Sequence, residues 1–242
     1  MEILCIEDDL IDQLILKRIL KQKRDINCKI ANNLQEAEQL VQTHVFDIII
    51  SDYYLSPDTI EDTLLKFSNL PIFLISGTDH PQKIEQLYKK GLKGHFQKPF
   101  TLGCLQQIID KRQIKCSEKA SEKIADFRLP ITFNFDYLDK LAAKSPEVKK
   151  EFIQIFVNMG AKDFLELTNA FHTQNWQMVR HFTHKFKSNF NMMGFKQLYL
   201  KAGELEGTFL QPNYEPIIIR ELPSFLDRLT RAISLAKDYL KN

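Results

Sequence analysis

The sequence predicts a doubly wound α/β domain with a five-stranded parallel sheet, followed by an all-helical bundle. Three observations predict it. Through the first half, short apolar runs alternate with amphipathic helical periods, the order that builds a parallel sheet with right-handed crossovers. The run Phe46-Asp47-Ile48-Ile49-Ile50-Ser51-Asp52 is β-branched and almost unbroken, as a central strand covered on both faces is, and it ends in a carboxylate. The second half has no strand pattern of that strength and several apolar stripes at helical spacing.

Taken in order, Ile3-Leu4-Cys5-Ile6 is the first strand and runs straight into Glu7-Asp8-Asp9. Leu10, Leu14, Ile15 and Ile19 then recur at helical spacing, and Asp9 just before them is the N-cap, accepting from free backbone N–H groups. That leaves Glu7 and Asp8 for chemistry. Cys28-Lys29-Ile30 is a weak second strand, Leu34, Ala37, Leu40 and Val41 mark a helix, and the strand closing at Asp52 is the third. Ile72-Phe73-Leu74-Ile75 before Ser76-Gly77 makes the fourth; Ile84, Leu87 and Tyr88 mark another helix. His95-Phe96-Gln97 is the fifth strand, ahead of Lys98-Pro99-Phe100, and a helix over 102–114 closes the half.

Residues 116–130 thin out in apolar content and are rich in Ser, Glu, Lys and Ala, which reads as a linker or a helical extension between domains at 1–115 and 131–242. Beyond it the periodic segments are Phe152-Ile155-Phe156-Met159, Phe164-Leu165-Leu167, Val179-Phe182-Phe186-Phe190-Met193, Leu198-Leu205-Leu210, and 217–240. On the third of these the apolar stripe centres near Phe182, Phe186 and Met193, so His184 points about 160° away from it, into solvent.

Composition narrows the function classes. A chain of 242 residues with 44% hydrophobic content is globular and long enough for two domains. The net charge of +2 gives no footprint for nucleic acid or an anionic membrane. Four cysteines (Cys5, Cys28, Cys104, Cys116) show no C-x-x-C spacing, and no apolar run approaches the roughly 20 residues of a membrane span, so a reduced, cytoplasmic protein is expected. His44, His80 and His172 lie near expected element ends and have no metal-like spacing. No G-x-x-x-x-G-K-[ST] loop occurs, so the phosphate of ATP is not drawn on directly.

Every expected strand end on one edge of the sheet carries a reactive group: Glu7 and Asp8, Asp52, Ser76 and Lys98. Ligands of open α/β sheets bind at the carboxyl ends of the strands. Carboxylates gathered there repel unless a hard cation such as Mg2+ neutralises them, and bound Mg2+ invites phosphate. A hydroxyl at Ser76 and an ammonium at Lys98 would take phosphoryl oxygens while Asp52, on the middle strand, acts as nucleophile.

Glu7-Asp8, Asp52, Ser76-Gly77 and Lys98-Pro99-Phe100, with the spacings between them, resemble the response-regulator receiver domain over 1–115. The resemblance implies a flavodoxin-like fold and phosphorylation of Asp52 from a phosphohistidine. It also implies Mg2+ on Glu7, Asp8, Asp52 and the main-chain carbonyl of Tyr54, a cis Lys98-Pro99 bond, and a switch residue at His95. Leu55-Ser56-Pro57-Asp58-Thr59 departs from the family's usual elements after the phospho-acceptor, and the stretch from Asp52 to Ser76 is shorter than the family's, which implies a stunted third helix.

In the second half, Lys187 at i+3 and Ser188 at i+4 share or flank the face of His184, with Asn191 at i+7 and Gly194 suited to ending the helix. His184-Lys185-Phe186-Lys187-Ser188 with Gly194 resembles the histidine phosphotransfer (HPt) motif. The surrounding pattern from Phe135-Asp136-Tyr137-Leu138 to Gly203-Glu204-Leu205-Glu206 fits it too. It implies phosphorylation of His184, a cation at Lys187, and an approach surface at Ser188, Asn191 and Gly194. His181 is the rival acceptor but lacks the lysine and the small residue at the same offsets.

Together these readings describe a phosphorelay protein partnered by a sensor histidine kinase and other receiver domains, with no nucleic acid and no membrane. A second reading is a regulator in which phosphorylation of Asp52 only changes how the helices dock on a target. A haloacid-dehalogenase-like hydrolase would need a second aspartate where Tyr54 stands. A DNA-binding output lacks a helix-turn-helix pattern.

Overall fold

The computed structural model describes residues 1–55, 58–77, 81–110, 131–143 and 145–241. The linker expected at 116–130, Cys116, His80, Ser56, Pro57 and the end of the helix expected to reach 114 lie outside the described residues. The chain divides into two compact units, Met1–Ala120 and Ser121–Asn242.

In the first unit the elements run β1 (Glu2–Ile6), α1 (Leu10–Leu20), β2 (Asn27–Ala31), α2 (Leu34–Thr43), β3 (Ile48–Asp52), β4 (Tyr54–Leu55), β5 (Asp58–Thr59), α3 (Ile60–Lys66), β6 (Ile72–Ser76), α4 (Pro81–Lys89), β7 (Gly94–Gln97) and α5 (Leu102–Ile109). Five strands form one sheet in the order β2-β1-β3-β6-β7, every pair parallel. The reversal of order between β1 and β3 opens a crevice at their carboxyl ends. β3, buried at all five positions, is the middle strand, as its unbroken apolar run requires. Leu4, Ile6, Ile49, Ile72 and Leu74 project from the sheet into a core closed by Leu34 and Ala37 of α2, Ile60 and Leu64 of α3, and Leu87 of α4.

The register puts the reactive ends level: Ile6 pairs with Ser51, Asp52 with Ile75, and Ser76 with Gln97. Each apolar strand therefore delivers the polar residue that follows it to one edge. After Asp52, Tyr54–Leu55 and Asp58–Thr59 pair as a small antiparallel hairpin leading into α3, which is only 7 residues long. The Lys98-Pro99 bond is cis.

The second unit is helical: α6 (Asp136–Leu141), α7 (Pro146–His172), α8 (Trp176–Met193), α9 (Lys196–Thr208) and α10 (Glu215–Lys241). The two apolar segments at 152–159 and 164–167 belong to one 27-residue helix, α7, started by Ser145, whose hydroxyl accepts from Val148 N–H, with Pro146 at the first turn. Nothing between them breaks the helical hydrogen bonds, since Gly160 only weakens propensity. The core is aromatic, with Phe156, Phe186, Phe190, Phe195 and Phe225 fully buried. Gly194 ends α8 in the left-handed conformation (φ 70°, ψ 22°). A Cβ there would lie 1.8 Å from the carbonyl oxygen of Asn134, so the incoming chain before α6 needs glycine at this point. No helix among the described residues is long and apolar enough to cross a membrane.

Candidate functional site

The site of the first unit is assembled from the strand ends and the first turn of α1. Asp9 caps α1, its carboxylate accepting from the N–H groups of Ile11 at 2.8 Å and Asp12 at 3.2 Å. Glu7 Oε1 accepts from Asp9 N–H at 3.1 Å, and Gln13 donates to the Glu7 carbonyl at 2.7 Å and to Asn32 at 2.8 Å, tying the end of β1 to the helix. Asp52 Oδ1 accepts from Tyr53 N–H at 2.6 Å. One oxygen of the expected nucleophile is thus held by backbone, and the other, Oδ2, accepts from Lys98 Nζ at 2.9 Å.

Lys98 is buried, and its ammonium donates to two more carboxylates: Glu7 Oε2 at 3.0 Å and Asp12 Oδ2 at 2.7 Å. Oxygens of Glu7, Asp8 and Asp52 lie within 4.8 Å of one another, a spacing that fits one hard divalent cation ligated by carboxylates. Glu7, Asp8, Asp52 and Lys98 therefore converge as the sequence predicts. Ser76 is buried at the end of β6, and Lys98 N–H donates to its carbonyl at 2.8 Å. Tyr54, two residues after Asp52, is half-buried in β4, and His95 is buried in β7.

Burial pulls the Lys98 ammonium down, but Asp12, Asp52 and Glu7 together more than offset it and hold the group well above its usual range. Lys98 is charged at any ordinary pH. Glu7 is also pushed well above the usual carboxylate range, first by burial, against the pull of Lys98, with Asp52, Asp12 and Asp8 adding to the rise. One ammonium does not balance four carboxylates, and the most buried of them is the one whose charged form is penalised most. A divalent cation would supply the missing charge.

Asp12 is the residue that sequence reasoning missed. Three positions after an Asp N-cap, an acid reads as the second half of a capping box, reaching back to the cap's N–H. Here that N–H is taken by Glu7. Asp12 turns inward to Lys98 instead. The only trace in the sequence is a fourth acid within one helical turn of Glu7-Asp8-Asp9.

In the second unit the expectation that His184 faces solvent is overturned: it is 5% exposed, and Lys187 and Ser188 are buried with it. Asn191 and Gly194 are half-buried. The reason is that α8 packs on α6, α7 and α9, so the face opposite its aromatic stripe is covered as well. His184 Nδ1 lies 2.8 Å from Glu206 Oε1 of α9, and Lys187 Nζ donates to Glu206 Oε2 at 3.2 Å. Since a carboxylate only accepts, Nδ1 carries the proton. Burial raises the Glu206 carboxyl, but His184 and Lys187 outweigh it and bring it down to about 2. His181 is half-buried, its ring edge-on to Phe182 at 5.1 Å between centroids. Glu206 entered the sequence reading only as part of the pattern around the motif and not as a partner of His184, because an acid on a helix carries no mark of what it meets.

Comparison with known proteins agrees on the first unit. The sequence profile described as the response regulator receiver domain matches residues 3–110. A two-component response regulator from Clostridium difficile is 24% identical, with a TM-score of 0.43 over 46% of this chain and 93% of that one. A chemotaxis response regulator of Vibrio cholerae is 22% identical, with a TM-score of 0.40 over 46% of this chain and 96% of that one. No curated protein matches the chain. The first unit is thus matched, over residues 3–110, by the response regulator receiver domain, a domain of two-component signalling.

Proposed function

We propose that the protein is a phosphorelay component whose receiver domain accepts a phosphoryl group on Asp52, with Mg2+ held by Glu7, Asp8, Asp52 and the main-chain carbonyl of Tyr54. The observation that carries this is the convergence of three metal-spaced carboxylates with a buried ammonium on one of them. In the transfer, the bond from phosphorus to the imidazole nitrogen of a phosphohistidine donor breaks as the bond to Asp52 Oδ forms, and the donor ring keeps its electron pair. Mg2+, when bound, would neutralise phosphoryl oxygens. Tyr53 N–H fixes the orientation of the Asp52 carboxylate, Lys98 offsets the added charge, and the Ser76 hydroxyl donates to a phosphoryl oxygen. His95, buried three residues before Lys98, is the candidate to sense the change.

With no nucleotide loop in the sequence, the phosphoryl group comes from a sensor histidine kinase or through another receiver. The chain assists its own phosphorylation and dephosphorylation and is no kinase. A small acyl phosphate with Mg2+ is expected to label Asp52, and chelation of the metal or Asp52→Asn to remove the label. Equal labelling of the Asp52→Asn protein would overturn the assignment.

We further propose that the helical unit exchanges a phosphoryl group on His184. The Nδ1–H bond to Glu206 leaves the lone pair of the neutral ring on Nε2, the nitrogen that would attack phosphorus, beside the Lys187 cation. Burial of His184 favours the second reading, in which the helices dock on a target without phosphotransfer. Full-length Asp52→Asn protein incubated with a separate phosphorylated receiver distinguishes them. Acid-labile, base-stable phosphate lost on His184→Gln supports transfer, and its absence supports docking alone.

A further inference from the structure

An ammonium has three N–H donors, and those of Lys98 are all spent on carboxylates. A phosphoryl group arriving on Asp52 therefore finds no unused donor there. Two of the three acceptors, Glu7 and Asp52, belong to the metal-spaced set, and their oxygens would be redistributed by a cation or by the phosphoryl group itself. The third, Asp12, stands outside that set, on the first turn of α1, and makes the shortest of the three contacts at 2.7 Å. It is buried, as is Lys98, so water does not weaken the pair. The helix cap is already complete without it, since Asp9 accepts the first-turn N–H groups and Glu7 takes the N–H of Asp9. The Asp12 carboxylate thus has no local structural duty in its own helix.

We infer that Asp12 is a positioning residue for phosphoryl transfer: it holds the Lys98 ammonium, so that a phosphoryl group on Asp52 has to compete with Asp12 for that charge. The inference rests on Asp52 as the phospho-acceptor. Phosphorylation replaces a carboxylate of charge −1 by an acyl phosphate dianion, and the ammonium that would offset the added charge is shared with a fixed anion. Asp12 then lowers the readiness of the receiver to be phosphorylated and acts through Lys98 rather than through the metal. Asparagine at this position keeps the shape and an acceptor oxygen and removes only the charge.

The test compares full-length protein, Asp12→Asn, Lys98→Ala and the double variant, each treated with a small acyl phosphate and Mg2+, reading the initial rate of labelling at Asp52. Asp12→Asn is expected to raise that rate about tenfold where Lys98 is present. In the Lys98→Ala background, with no ammonium to release, the same change should alter it less than about twofold. Asp12→Glu, which restores the charge, should return the rate toward that of the unaltered protein. An equal factor in both backgrounds, or no effect in either, overturns the inference. If no variant is labelled, the phospho-acceptor reading fails, and the tether is read instead from the ammonium resonance of Lys98 by NMR. Protection from solvent exchange should be high in the unaltered protein and reduced in Asp12→Asn, and unchanged protection would overturn it.

Discussion

Lys98→Ala is expected to destabilise the receiver unit by about 3 to 5 kcal/mol at neutral pH, because removing one partner of a buried ion cluster leaves uncompensated charge behind. Glu7, Asp12 and Asp52 all accept from that ammonium, and none is exposed enough for water to replace it. The pH dependence has a definite sign. Lys98 is raised in the folded protein, so its contribution is complete below the usual lysine range and is lost only as pH climbs through the raised value. Glu7 is raised as well, which means its contribution is present below about pH 4.5 and fades as pH rises through its folded value. Without Lys98, Glu7 should rise further. The penalty of the substitution is then largest near neutrality and shrinks on acidification.

Millimolar Mg2+ should return part of that stability, and more of it in Lys98→Ala than in the unaltered protein, since the cation brings charge to the same carboxylates. Urea melts followed by far-UV circular dichroism measure this. Trp176, the only tryptophan, lies in the helical unit, so its fluorescence separates that unit's transition from the receiver's. A receiver transition at the same urea concentration with and without Lys98 would show that the ammonium has no such role.

The receiver fold and most of its site were legible because one rule supplies both. An apolar run marks a buried parallel strand, and the first one or two polar residues after it lie at the sheet edge where ligands bind. Glu7, Asp8, Asp52, Ser76 and Lys98 all follow from that rule, and the register levels those strand ends. Asp12 does not, since which acceptor takes the Asp9 N–H is decided in three dimensions. Two candidates compete for one donor, and Glu7 wins it.

The helical half was legible as helices and misread as surfaces. A wheel of α8 shows one aromatic stripe, and the inference that the opposite face is wet holds for a helix at the rim of a bundle. α8 packs on three other helices, and its polar side chains enter the interior with partners: Lys187 with Glu206, and Lys185 with Asp163 of α7. Buried charge is tolerated when paired, and the pairing partner sits on another helix at a sequence distance no periodicity reports. The same blindness made α7 look like two segments, because its buried face between them carries Gly160 and the paired Asp163, so the apolar stripe lapses there without the helix ending.

Glu206→Gln is the second change of large expected effect, a loss of about 3 kcal/mol from the helical unit at neutral pH. Glu206 is 1% exposed and accepts from both His184 and Lys187, so neutralising it leaves the Lys187 ammonium in the interior with no anion among its described contacts there. Its carboxyl is brought down from 4.5 to about 2, burial opposing and the contacts with His184 and Lys187 prevailing. A depressed acid contributes stability that is complete above its unfolded value and is lost as pH falls through the folded one, so the window runs from about pH 4.5 down to about 2. The unaltered helical unit should therefore hold its stability down to about pH 4.5 and weaken below it. The Glu206→Gln protein, already weaker at pH 7, should show a flatter profile across that window. Urea melts followed by Trp176 fluorescence at stepwise pH measure both. Parallel profiles for the two proteins would mean that Glu206 is not the anion of this cluster. In that case the His184 ring would need another group to hold its Nδ1 proton.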